Sequence, residues 1–159
     1  MIKAVIDIGT NSVKYLLAEV CSNDKPIILK DMVKITRLGE GLSKTGRISP
    51  QALLRSAETA EEFVLDAKKS GAGEIRMFGT MALRTALNAA DFMRRIWEHA
   101  GVETEVLSGE DEATLSFWGA LSGFDPGNVK NCCMIDTGGG STELVFAREG
   151  QIVSRSSLK

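Results

Sequence analysis

The chain has 159 residues, 43% of them hydrophobic and 25% charged, with a formal net charge of −2. That balance is globular rather than disordered, and the length suffices for one well-buried domain or a domain with part of another. The absence of a basic excess sets nucleic-acid coating aside, since that affinity comes from neutralising phosphates; a small polyanionic substrate met by local arginines stays open, because screening at cellular salt acts over roughly 8 Å.

Residues 2–8, IKAVIDI, are β-branched and apolar and predict a buried strand. The run meets Asp7 early, so no signal peptide is expected in it. No apolar stretch approaches the roughly 20 residues that span a bilayer, so a cytoplasmic protein without membrane contact is expected. GTNS at 9–12 is a turn signal, 13–20 reads as a second strand antiparallel to the first, and 26–37 as a third. RLGEGLSKTGRIS follows as a glycine-spaced loop. Ser49 and Pro50 suit the N-cap and first turn of a helix. Leu53, Ala57, Ala60, Phe63, Val64 and Ala67 give that helix one apolar face, and SGAG at 70–73 ends it.

EIRMFG predicts a strand, 81–87 and 90–100 two helices, ETEVL another strand, and 110–122 a helix with Ala113, Phe117, Ala120 and Leu121 inward. Trp97 and Trp118 sit at helical spacing and read as core residues, Arg94 and Arg95 as surface charges. SGFDPGN at 122–128 marks the expected domain boundary. Three strands follow: CCMID, then TELVFA after a GGGS turn, then IVSRSS. The expected organisation is a first lobe over 1–124 and the opening strands of a second over 129–159. Three antiparallel strands followed by alternating helix and strand give an α/β, ribonuclease-H-like mixed sheet.

Cys21, Cys132 and Cys133, an odd set with two adjacent, make no disulfide framework and indicate a reducing setting. There is no CxxC pair, and the single histidine, His99, stands at a polar helix end. Thiolate or imidazole metal binding and Ser-His-Asp or Cys-His chemistry are thereby set aside.

The chain carries an internal repeat. IDIGTNS at 6–12 returns as IDTGGGS at 135–141, with Asp7 matched by Asp136, Gly9 by Gly138 and Ser12 by Ser141. Glycines let backbone N–H groups approach an anion, and Ser and Thr hydroxyls add donors. The aspartate before each turn suits Mg²⁺, usually through water, which bridges to phosphate. Either turn alone fits an ordinary hairpin equally well; the pair, in matching context, points to a phosphate clamp. The first unit runs on for about 115 residues after its aspartate and the second for 23. An N-terminal fragment of a longer protein is therefore expected, with a truncated second lobe, little activity alone, and a tendency to associate, as in a homodimer, through open strand edges.

The motifs DIGTNSVKYLLAEV, TRLGEGL with a later GRIS, GTMALRTALNAADF, EVLSGEDEATLSFWG and MIDTGGGSTELV, in this order, resemble the exopolyphosphatase/guanosine pentaphosphate phosphohydrolase family. That family lies in the actin, sugar kinase and heat-shock ATPase superfamily, and the resemblance covers essentially the whole chain. It implies an actin-like ATPase fold and Mg²⁺-dependent release of terminal phosphate from polyphosphate or guanosine pentaphosphate. Residue by residue, it implies Glu112 as the general base, Asp136 as a metal-linked aspartate and Glu143 as a carboxylate holding metal or water. Asp7 takes the metal position of the first turn. Gly9, Thr10, Asn11 and Ser12, with Gly138, Gly139, Gly140 and Ser141, become the phosphate-binding turns, and Arg84 meets substrate phosphates. Asp111 stands where the family commonly has glutamate. On spacing alone, Glu110, Asp111 and Glu112 read first as a capping run at a solvated helix start, and Arg84 is equally a solvated helix residue. Arg37 and Lys14 are further candidates to face the cleft. An ATP-dependent kinase of the same superfamily and a non-catalytic nucleotide- or polyphosphate-binding regulator are the alternatives.

Overall fold

The computed structural model describes residues 1–21, 25–124 and 130–158. They form two compact units, residues 1–106 and 107–159.

In the first unit, β1 (Ile2–Ile8), β2 (Ser12–Glu19) and β3 (Ile27–Ile35) form an antiparallel meander. β4 (Glu74–Gly79) joins β1 in parallel and β5 (Thr104–Val106) joins β4, giving the order β3-β2-β1-β4-β5. This is the mixed sheet predicted from the element order. Alternation fixes which face is buried: Ala4, Ile6 and Ile8 stand opposite Leu17, Tyr15 and Val13, and all six are buried. Helix α2 (Pro50–Lys69) covers them with Ala57, Ala60, Phe63, Val64 and Ala67, and the Phe63 ring stacks on Tyr15 at 5.1 Å. Full burial of a side chain such as Phe63 contributes about 1.5–3 kcal/mol. Ser49 caps α2 by accepting from the Ala52 N–H at 3.2 Å, with Pro50 in the first turn.

α3 (Met81–Thr85) and α4 (Ala89–Ala100) complete the unit, and a one-turn helix, α1 (Leu42–Thr45), interrupts the segment read as a plain loop. Trp97 is 61% exposed, against the expectation of a core residue. The buried stripe of α4 is Phe92, Ile96 and Ala100, so Trp97 lies one residue, about 100°, off it.

In the second unit, β6 (Asn131–Thr137), β7 (Thr142–Arg148) and β8 (Gln151–Leu158) form an antiparallel sheet. Helix α5 (Gly109–Leu121) packs Ala113 and Phe117 against Val145 and Ala147. The helix therefore belongs with the second sheet, and the units divide at 106/107 rather than in the 122–128 loop, of which 125–128 lie outside the described residues. Two inward expectations on this helix change. Ala120 is exposed, and Trp118 is 49% exposed with its ring edge-on to Phe117 at 5.2 Å. Both flank the Ala113–Phe117 stripe instead of lying on it. Among the described residues no helix is long and apolar enough to cross a membrane.

Candidate active site

The first turn is set by β1 and β2 ending in a tight reversal. The Gly9 N–H donates to the Ser12 carbonyl at 2.9 Å, and a Cβ on Gly9 would stand 2.9 Å from that same oxygen, so the close approach requires glycine. Among the described residues no backbone carbonyl accepts from the N–H groups of Thr10 and Asn11. Two adjacent donors at a turn tip are what an anion nest offers. Asp7 lies directly opposite Lys14, whose ammonium is 3.4 Å from its carboxylate. Arg84 lies in the last turn of α3, which starts just past β4; the end of β4, Gly79, pairs with Ile8. Turn and arginine thus share the carboxyl end of the parallel strands, where open α/β sheets bind ligands.

The second turn repeats the first in its backbone. The Gly138 N–H donates to the Ser141 carbonyl at 2.9 Å, the same bond between the same repeat positions. Residues 138–142 and Leu158 line a shallow hollow. The charges differ, however. Asp136 stands directly opposite Glu143, so two carboxylates occupy one face of adjacent strands. The Ser116 hydroxyl on α5 donates to Asp136 at 2.8 Å, and the Ser157 hydroxyl on β8 donates to Glu143 at 2.7 Å. Glu143 is only 2% exposed. Like charges directly across a strand pair repel, and a hard divalent cation with oxygen ligands is the natural remedy. The donor set therefore fits Mg²⁺. Among the described residues no three His, Cys, Asp or Glu side chains cluster to hold a metal, so such an ion would complete its shell with water and phosphate oxygens.

The acidic start of α5 divides by role. Ser108 caps the helix, accepting from the Asp111 N–H at 3.1 Å while its hydroxyl donates to the Asp111 carboxylate at 2.6 Å. Glu110 pairs with Arg155 of β8 at 3.2 Å. The capping run accounts for Asp111, and Glu110 serves a strand contact. Glu112 is half-buried, and its N–H donates to the Ser108 carbonyl at 3.0 Å. It precedes Ser116 by four residues, so the two lie on the same stripe of α5. Ser116, Ser157 and Arg155 were missed from sequence. Ser116 had a signal in that four-residue spacing from Glu112; the two β8 residues had none.

The residues read as surface charges and as a helix-end histidine form ion pairs within the first unit. Arg95 and His99 both meet Glu61, at 2.8 and 3.5 Å, and Arg94 pairs with Asp91. Arg37, at φ 51°, is one of two non-glycine residues in the left-handed region among those described, and it lies beside the first turn.

A family model described as the Ppx/GppA phosphatase family matches residues 5–159. The bifunctional 3-dehydroquinate synthase/phosphatase of Fusobacterium nucleatum is 30% identical over 163 residues, covering 99% of this chain and 24% of that protein. Exopolyphosphatase 2 of Mycobacterium tuberculosis is 32% identical over 162 residues, covering 97% of this chain and 50% of that protein. The crystal structure of an exopolyphosphatase from Cytophaga hutchinsonii superposes with a TM-score of 0.92 at 28% identity, covering 99% of this chain and 50% of that one. The fold alone is shared with the ethanolamine utilization protein EutJ of Carboxydothermus hydrogenoformans, at a TM-score of 0.55 and 14% identity over 99% of this chain and 51% of that one. The chain thus spans half or less of the length of these phosphatase relatives.

Proposed function

Since this chain belongs to the Ppx/GppA phosphatase family, we propose that its full-length protein is a Mg²⁺-dependent phosphoanhydride hydrolase releasing terminal phosphate from inorganic polyphosphate, with guanosine pentaphosphate as the second candidate substrate. The observation that carries the reading is the duplicated turn, with the same Gly-to-Ser backbone bond at 9–12 and 138–141 but a carboxylate pair only at the second. The exopolyphosphatase relatives support polyphosphate as the substrate.

The chemistry asks little beyond positioning and charge. In the first unit, the N–H groups of the 9–12 turn and the Arg84 guanidinium receive phosphate oxygens; in the second, the 138–141 turn offers the same kind of donors. Glu112 orients a water and takes its proton at the carboxylate as the water oxygen bonds to the terminal phosphorus. The bridging P–O bond breaks, and the shortened phosphate chain departs with its electron pair. Asp136 and Glu143 would hold the divalent cation in the second unit, while Asp7 of the first, already met by Lys14, would meet a cation through water. When bound, the cation supplies positive charge against the phosphate oxygens. Ser116 and Ser157 keep the two carboxylates in place, as outer hydrogen bonds do at metal sites.

The test is phosphate release by the full-length protein with Mg²⁺, from long-chain polyphosphate and from guanosine pentaphosphate, without added ATP. Release abolished by Glu112→Gln supports a phosphoanhydride hydrolase, and the faster substrate names it. No release from either refutes it.

A further inference from the structure

We infer that residues 36–40, braced by Arg55, are a positioning element that fixes the direction of the first turn's N–H groups; this rests on the phosphate-binding reading of that turn. Three backbone bonds join the two segments. The N–H groups of Thr36 and Arg37 both donate to the Asn11 carbonyl, at 3.0 and 2.9 Å, and the Gly39 N–H donates to the Thr10 carbonyl at 2.9 Å. A trans peptide is planar, with its C=O and N–H pointing in opposite directions. Pinning the Thr10 carbonyl to the loop therefore turns the Asn11 N–H away from the loop. Pinning the Asn11 carbonyl does the same for the peptide carrying the Ser12 N–H. The loop thus decides which way the nest faces, although none of its own side chains need meet the ligand.

The loop is itself held from behind. Leu38 and Leu42 are buried in the core of the first unit. The Arg55 guanidinium, on α2, donates to the Thr36 carbonyl at 2.6 Å and to the Glu40 carboxylate at 3.3 Å. Two local features fit a segment shaped for this contact. Arg37 takes the left-handed conformation, a strain that persists where the surroundings over-determine it. Gly39 lies so close to the turn that a Cβ there would overlap the Thr10 Cγ2 methyl. The second turn differs: among the described residues no backbone N–H donates to the carbonyls of Gly139 or Gly140. Two turns alike in backbone are thus held differently, the first from outside.

Tripolyphosphate binding to the full-length protein, measured by calorimetry, tests this without depending on turnover. Gly39→Ala is expected to weaken binding about tenfold, as loss of a charge-assisted hydrogen bond would. Adding Thr10→Ser, which keeps the hydroxyl but removes the overlapped methyl, should recover most of the loss. Arg55→Ala, whose guanidinium among the described residues bonds Thr36 and Glu40 of the loop, should weaken binding in the same direction while the melting temperature stays near that of the wild type. Wild-type binding that Gly39→Ala and Arg55→Ala both leave unchanged overturns the positioning role alone. A Gly39→Ala loss that Thr10→Ser fails to recover overturns it too. A wild type that binds no tripolyphosphate overturns both this inference and the phosphate-site reading.

Discussion

Asp136 and Glu143 stand directly opposite one another in the register of adjacent strands. At the corresponding positions of the first hairpin, Asp7 faces Lys14. The same backbone device thus carries a self-neutralised pair in one copy and a doubly anionic pair in the other. Asp136→Asn should therefore make the rate far less responsive to Mg²⁺. Ser116→Ala, which removes the hydroxyl holding Asp136, should raise the Mg²⁺ needed for half-maximal rate by about tenfold. A Mg²⁺ titration of both variants checks this, and curves superimposable on the wild type would take the cation elsewhere.

Glu112→Gln should lower kcat by about 10²-fold or more while leaving substrate binding nearly intact, the signature of a lost general base. Asp111→Asn, altering a residue used in the Ser108 cap, should change stability more than rate. If the two substitutions slow turnover equally, Glu112 has no special part in the reaction.

The glycines that open the two turns are not equivalent. A Cβ on Gly9 would stand 2.9 Å from the Ser12 carbonyl oxygen, whereas one on Gly138 would stand 3.5 Å from that of Ser141, an ordinary contact. Gly9→Ala should raise KM about tenfold, because overpacking forces the turn to shift. Gly138→Ala should stay within about twofold. Steady-state kinetics on the pair settles the matter, and equal effects would contradict the geometry.

The Lys30 ammonium, hydrogen-bonded to both oxygens of Asp66, holds that carboxyl below the usual carboxylate range; partial burial opposes the shift, while the Tyr15 hydroxyl and the charges of Lys30 and Lys69 reinforce it. A carboxyl whose folded pKa is depressed contributes stability that is present above its unfolded value, about 3.9, and lost as pH falls through the folded value. The melting temperature of the wild type should therefore drop more steeply below about pH 4 than that of Asp66→Asn. Parallel profiles would show that the network contributes nothing to acid stability.

The order of strands and helices was legible in the sequence because each element carries its own signal: the apolar alternation of 2–8, the Ser49–Pro50 start of α2, the glycines that close its end. The two turns were legible because the repeat announced them twice. What escaped was whatever depends on neighbours distant in the chain. Ser157 is unremarkable until β8 brings it beside Glu143, and Arg155 until the same strand carries it to Glu110. Pro and Gly mark a loop, whereas the packing of Ala113 and Phe117 onto β7, which decides the sheet a helix joins, has no local signal. Trp97 and Trp118 were misread because a tryptophan one residue off a buried stripe has the same composition as one on it.

The Lys14–Asp7 pair has a consequence for how the two hairpins answer the surrounding solution. Its ammonium is covalently part of the protein and cannot be chelated, diluted or exchanged, whereas the cation proposed at Asp136 and Glu143 would come and go with the medium. A chelator should therefore act unequally on the two copies of the repeat. It would strip charge from the second while the first keeps its grip on an anion, separating holding a phosphate chain from cutting it.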